Sequence, residues 1–319
     1  MPTTSRSTSR STGPRPHGTR GVPGPRGPRG LRGLRGPRGL RGLRRAVGAL
    51  AAVASLCALL AVPAAASTAV PGPRAMWLWQ RSDPAATMDW ATANAVKEIF
   101  VHVPTKITRT ELTRLKQLKK RADAAGVRLS ALGGEPGWTF DHAAALAWQR
   151  AAMGTGLFRT THVDVEPYHL NEWHTDQAGT TAAFLGLLAR LRDADPRPLE
   201  ADVPFWYETV PAEGSTLADA VLARVDAITV MSYRDTATGP GSIIDVGQDM
   251  LLRGQLAGRP VRLAAETLAL PDCPYCTFHE QGRQALDTAL SAVDAAAVFY
   301  PAYAGMAVHD YASWTALRP

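Results

Sequence analysis

The sequence predicts an α/β protein, a single (β/α)8 barrel, on three observations. From Arg74 onward, short apolar runs alternate strictly with helix-period stretches, which implies a parallel sheet. Eight such units fit into about 250 residues, the usual size of an eight-stranded α/β barrel. No Gly-rich phosphate loop follows the first run, so a doubly wound dinucleotide-binding sheet is the weaker alternative.

In chain order, residues 1–45 form a leader of Arg, Gly, Pro, Ser and Thr without apolar periodicity, which predicts disorder. Within it, 21–44 reads as eight Gly-X-Y triplets. The triplets bring an Arg to almost every third place and no trimerising segment, so a low-complexity basic leader is expected instead of a collagen helix. Residues 46–63 form an apolar run that follows Arg44 and Arg45 and is followed by Ala64, Ala65 and Ala66. That order is an export signal, with cleavage expected after Ala66; an uncleaved signal anchor is the alternative. Residues 46–66 are therefore read as signal, and 67–319 as the barrel.

Strands are expected at 76–80, 98–103, 127–133, 161–166, 199–204, 227–233, 261–266 and 306–311. The clearest helix-period segments lie between them at 111–125, 180–192, 217–224, 244–256 and 280–293. Lys116, Lys119, Lys120 and Arg121 read as a solvated helix face.

The 319 residues include 35 Lys+Arg and 28 Asp+Glu, a formal charge of +7. The first 66 residues hold 12 of the basic groups and none of the acidic ones, which leaves 67–319 with 23 basic and 28 acidic residues. A net of −5 excludes a basic nucleic-acid module. Three cysteines are too few for a disulfide-built miniprotein.

Barrel active sites form where the C-terminal strand ends meet the loops. Alternation along the strands puts His162, Asp164 and Glu166 toward the axis, with Val163 and Val165 facing the helices. Ala264 and Glu266 face in by the same rule, and His102, Asp202, Tyr233 and His309 fall at similar depth. Asp310 adjoins His309, Glu135 lies just past the third strand, and Trp77 and Trp79 end the first. Carboxylates at such positions are costly unless paired, so a ligand site is expected at this mouth. Paired carboxylates with aromatic walls suit glycosidic-bond cleavage, in which one acid protonates the leaving oxygen and a second group stabilises or attacks the anomeric carbon. Trp138, Trp206 and Trp314, with Trp173, follow strand ends and are read as subsite walls; Trp90 and Trp148, on helices, are read as core. Arg234-Asp235 reads as a loop salt bridge or a sugar-binding pair.

Ser130-Ala131-Leu132-Gly133-Gly134, Asp164-Val165-Glu166, Met231-Ser232-Tyr233 and Trp314 together resemble the chitinase-like family eighteen glycoside hydrolases. The resemblance implies that Glu166 is the general acid, that Asp164 orients a substrate acetamido group and that Tyr233 assists. The family's two earlier aspartates fall here on Arg159 and His162, and Leu132 is an extra residue in its third-strand motif. Glu166-Pro167 with Glu266 is also similar to clan A retaining glycosidases, although Val165 stands in place of their Asn. That resemblance makes Glu266 the second carboxylate instead of Asp164.

His162, Asp164 and Glu166 lie on one strand face with His102 and His309 elsewhere at the mouth, which is an adequate inventory for a metal. The first strand reads Trp77-Leu78-Trp79 where metal-dependent barrel hydrolases carry His-x-His, so neither metal nor cofactor is expected. Cys273-Pro274-Tyr275-Cys276 reads as a local disulfide in an exported protein. The sequence thus predicts a secreted, monomeric glycoside hydrolase-like enzyme with a carbohydrate substrate, which touches a membrane only through its export signal and binds no nucleic acid. The rivals are a carbohydrate-binding barrel without turnover and a metal-dependent hydrolase.

Overall fold

The computed structural model describes residues 72–319. The leader, the apolar run and its cleavage site lie outside the described residues. Eight parallel strands close into a barrel: β1 Arg74–Leu78, β2 Val96–His102, β3 Arg128–Gly133, β4 Thr160–Val163, β5 Leu199–Pro204, β6 Ala227–Met231, β7 Val261–Glu266 and β8 Tyr303–His309. They are ordered as in the chain, and β8 closes on β1. A helix follows each strand: α1 Pro84–Ala93, α2 Arg109–Ala125, α3 His142–Gly154, α4 Gln177–Ala194, α5 Leu217–Leu222, α6 Ile243–Ala257, α7 Arg283–Ala297 and α8 Tyr311–Ala316. The expected (β/α)8 architecture is present.

The helices start where side chains cap them. Asp83, Thr108, Asp141, Asp176, Thr216, Ser242 and Asp310 each accept a backbone N–H from the first turn of the helix that follows. Gly126 and Gly258 end α2 and α6 in the left-handed conformation that glycine adopts without a Cβ penalty. The helices not singled out in the sequence are α1, α3 and α8. The first two are Ala-rich, so their buried faces, such as Thr87, Met88 and Ala91 on α1, carry little hydrophobic contrast.

Strand alternation sorts the core into two shells. Met76, Leu78, Ile99, Val101, Val163, Val203, Val230, Leu263 and Val308 join the large apolar cluster that also contains the helix side chains. Ala75, Trp77, Phe100, Leu132, Ala264 and Ala307 form a smaller cluster inside the barrel. The strand ends differ from expectation at β4, which stops at Val163, so Asp164 and Glu166 belong to the loop that leaves it. β1, β6 and β8 likewise stop early, at Leu78, Met231 and His309, ahead of Trp79, Tyr233 and Asp310.

Below the inner apolar cluster the axis is charged. Arg262 on β7 donates to Glu200 on β5 at 2.7 Å and to Glu98 on β2. Glu98 also accepts from Ser130 on β3 at 2.7 Å and from Arg128 at 2.5 Å. Glu98, Arg128, Glu200 and Arg262 line a cavity of about 360 Å³ at the N-terminal end of the barrel.

Candidate functional site

His162 connects the charged floor to the mouth. Its ring stacks on Phe100 with centroids 3.7 Å apart. Nε2 lies 2.8 Å from Asp202 Oδ1, and Nδ1 lies 3.4 Å from Glu200 Oε2. Burial opposes a charge on this ring, but Asp202 and Glu200 outweigh it and raise the pKa to about 10. Burial likewise pushes Glu200 up, while Arg262 and His162 outweigh it and bring the carboxyl to about 2. Asp202 accepts in turn from the Trp77 indole at 2.9 Å.

Above this column, Asp164 and Glu166 lie on the loop after β4. Asp164 is reached through Gly133 and Gly134. Its N–H donates to the Gly133 carbonyl at 3.0 Å, and its own backbone carbonyl lies 1.9 Å from where a Cβ on Gly134 would sit. The Asp164 side chain has one buried oxygen, Oδ1, with no hydrogen-bond partner. Burial, then the charges of Asp202 and Glu166, push its carboxyl well above the usual range, against a smaller pull from His162.

Glu166 is partly exposed. Tyr168 donates its hydroxyl to Oε1, and His169 Nε2 lies 3.2 Å from Oε2. Tyr168 packs edge-on against Trp173, Trp206 and Tyr207, so an aromatic wall stands beside this carboxylate. The Trp206 ring is only partly buried.

Glu266, at the end of β7, accepts from the backbone N–H groups of Thr267 and Leu268 at 2.7 Å each and from His309 Nδ1 at 2.9 Å. His309 Nε2 accepts the Trp79 indole N–H at 3.0 Å, which fixes the ring tautomer with the proton on Nδ1. Burial lowers the His309 pKa, but Glu266 outweighs it and raises the net value. The Trp79 N–H opposes that rise, because a protonated Nε2 has no lone pair to accept it. Tyr233 lies between the two halves of the mouth, its ring 6.2 Å from that of His309. Burial, then Glu266, Asp164, Asp202 and Glu166, push its phenol well above the ordinary value. One tyrosine thus feels carboxylates from β4, β5 and β7 together. His102 packs at 5.6 Å on Trp79, and burial lowers its pKa against the pull of exposed Glu135.

The structure brings Asp164, Glu166, Glu266, Tyr233, Trp79, His102 and His309 to one mouth, with Trp206 on its wall. It does not bring five others there. Trp77 and Asp202 bond each other inside the barrel, where Trp77 packs on Phe100. Trp138 packs on Trp148 at 5.1 Å, outside the β3 strand end. Trp314 is buried edge-on against Trp90 at 5.7 Å. Asp310 caps α8 in a capping box with Ser313. These residues are corrections to the expected substrate contacts: strand-end position put them near the mouth, and packing or capping takes their side chains away from it. Arg234 and Asp235 do not pair with each other; Asp235 accepts from Gln281, and Arg234 lies against two aromatic rings.

Tyr168, His169 and Tyr207 were missed in the sequence. An aromatic two residues after a mouth carboxylate was the available signal for Tyr168. Cys273 and Cys276 are bonded, with S–S 2.07 Å, in the loop beside Glu266. Among the described residues, no group of three His, Cys, Asp or Glu is arranged to hold a metal ion.

No family model and no curated protein matches the chain. Solved structures do resemble it. The chitinase of Chromobacterium violaceum is 14% identical with a TM-score of 0.45, over 77% of this chain and 97% of that one. The spore cortex-lytic enzyme SleL of Bacillus cereus is 12% identical with a TM-score of 0.42, over 61% of this chain and 51% of that one. This chain therefore spans about half the length of SleL. The YdjI aldolase of Escherichia coli is 11% identical with a TM-score of 0.42, over 75% of each chain. One barrel architecture hosts many activities, so the chemistry of this chain rests on its own residues.

Proposed function

We propose that the protein is an exported glycoside hydrolase acting on a polysaccharide or cell-wall glycan. The observation that carries this reading is the pairing of carboxylates on the loop after β4, where Glu166 stands beside an aromatic wall, with Glu266 at the end of β7, which holds His309 against Tyr233. Glu166, the most solvent-accessible of these carboxylates, is the proton donor to the leaving oxygen. Asp164 is the second carboxylate. Its free Oδ1 is available to a substrate N–H or O–H, and its raised pKa keeps a proton on this carboxyl that it can donate. Glu266 is less free to attack carbon, because three N–H donors already occupy its two oxygens. It serves instead to hold His309, and through it Trp79, at the floor of the mouth.

The test is a hydrolysis screen of the purified protein over neutral and charged glycans, with Glu166→Gln in parallel. Loss of a general acid lowers turnover by about 10²–10⁴-fold, so activity that survives the substitution removes Glu166 from this role. One observation favours the second reading, a binding barrel without turnover: Tyr168 and His169 occupy both Glu166 oxygens. Binding on the same panel with no cleavage decides for it.

Export is part of the proposal, supported by the apolar run at 46–63 and by the Cys273–Cys276 bond, which belongs in an oxidising compartment. N-terminal sequencing of protein recovered outside the cell is expected to begin at Ser67. Retention of the whole chain in the membrane fraction shows a signal anchor instead.

A further inference from the structure

Only two arginines lie in the loops that leave the C-terminal strand ends, Arg81 and Arg234. Arg81 bonds Glu111 at 2.9 Å. Arg234 forms no ion pair among the described residues. It follows Tyr233 directly, and its guanidinium carbon stands 5.0 Å from the centre of the Phe205 ring and 5.7 Å from that of Tyr275. Among the described residues its one oxygen partner is its neighbour's carbonyl, Tyr233 O, at 2.6 Å from Nη1, and the same nitrogen lies 3.8 Å from Cys276 Sγ. The group is half-buried, yet none of its nitrogens is both buried and unpartnered, so its remaining N–H donors are open to solvent.

The three loops that meet at this point fix one another. Asp235 N–H donates to the Tyr275 carbonyl at 2.9 Å, and the Cys273–Cys276 bond closes the turn that carries Tyr275. Phe205 begins directly after β5. A guanidinium held between aromatic faces loses little entropy when it binds, and its planar fork presents two N–H donors to two oxygens of one anionic group. A guanidinium fixed beside Tyr233 and paired with no carboxylate among the described residues attracts an anionic group to one place, while Asp164, Glu166 and Glu266 disfavour it elsewhere in the mouth.

We infer that Arg234 is a specificity residue for an oxyanion carried by the glycan, so that the substrate class is an acidic polysaccharide, with Phe205 and Tyr275 presenting the guanidinium. The inference rests on the glycan reading above and names its substrate more narrowly. Sugar carboxylates and sulfate or phosphate esters share the chemistry Arg234 reads, and the size of the bound group decides between them.

The experiment is calorimetric binding of the purified protein to neutral, carboxylated and sulfated oligosaccharides of matched length, repeated with Arg234→Gln and Arg234→Lys. Wild type is expected to prefer an acidic oligosaccharide over its neutral counterpart by about tenfold or more, the scale of one charge-assisted contact. That ratio should fall toward one in Arg234→Gln, keep part of its value in Arg234→Lys and shrink with added salt. A preference for carboxylated or for sulfated ligands supports the inference and identifies the anion. Equal binding of neutral and acidic ligands by wild type overturns it while leaving the glycan reading in place. An acidic preference that Arg234→Gln keeps also overturns it, since another group then reads the anion. Binding of no oligosaccharide by wild type overturns both.

Discussion

Asp164 is the residue whose protonation couples most directly to the stability of the mouth. Its carboxyl is raised by burial and by Asp202 and Glu166, so the folded protein holds this proton more tightly than the unfolded chain does. The associated stability is whole below the ordinary aspartate pKa and is lost as pH rises toward the raised value. At neutral pH the group is therefore a net cost, which Asp164→Asn removes because an amide cannot ionise. Thermal melts are expected to show Asp164→Asn more stable than wild type at pH 7, with the two converging near pH 3. A gain of about 1 kcal/mol corresponds to roughly 2–4 °C in a domain of this size. A variant less stable than wild type at pH 7 would show that the Asp164 carboxylate is stabilised by a partner that its unbonded Oδ1 does not reveal.

At the scale of elements, two adjacent glycines set where the β4 loop lies. A Cβ on Gly133 would fall 2.4 Å from the Trp148 ring, and one on Gly134 would fall 1.9 Å from the Asp164 carbonyl oxygen. The contact at 134 is with backbone, which cannot rotate away, so Gly134→Ala must push the β4 loop and Asp164 off the β3 end. Turnover is expected to fall by about 10²-fold, the cost of roughly an ångström of misplacement, with the barrel still folded by circular dichroism. Full activity in that variant would mean that the position of Asp164 is not critical. The elements themselves were legible because strand alternation and helix period are strong, local signals: β5 and β7 fall at the expected bounds. His162 was legible as an inward residue of β4 for the same reason, whereas Asp164 and Glu166 lie past the strand end, where alternation no longer sets direction. The packing of single aromatics was not. Trp138 and Trp314 follow strand ends just as Trp206 does, and only the presence of Trp148 and Trp90 on neighbouring helices decides that they turn away from the mouth. The floor network escaped notice because Glu98, Glu200 and Arg262 lie on three strands far apart in the chain. Each alone reads as an isolated charge in an apolar run.

Across the whole molecule, that network replaces part of the aliphatic filling of an ordinary barrel interior with a chain of charges that runs from Glu98 through Arg262 and Glu200 to His162 and Asp202. Such a column adds little net stability against an apolar core, but removing one member leaves its partners buried and uncompensated. Its two titrating ends define a pH window. Glu200, lowered to about 2, contributes fully above its ordinary pKa and loses that contribution as pH falls through about 2. His162, raised to about 10, contributes fully below its ordinary value of 6.5 and loses that contribution as pH rises through about 10. Both contributions are whole between about 4.5 and 6.5, so the column is best tested at pH 5.5. There, Arg262→Met leaves Glu98 with only Arg128 and Ser130 and Glu200 with only His162, each short of its buried cation, and is expected to cost about 3–5 kcal/mol in urea unfolding. Adding Glu98→Gln and Glu200→Gln to the same chain removes the stranded charges and should recover most of that loss. If the single and triple variants unfold alike, the cost lies in the lost contact of the Arg262 guanidinium with the Phe100 ring, and charge compensation is not what holds the barrel floor together.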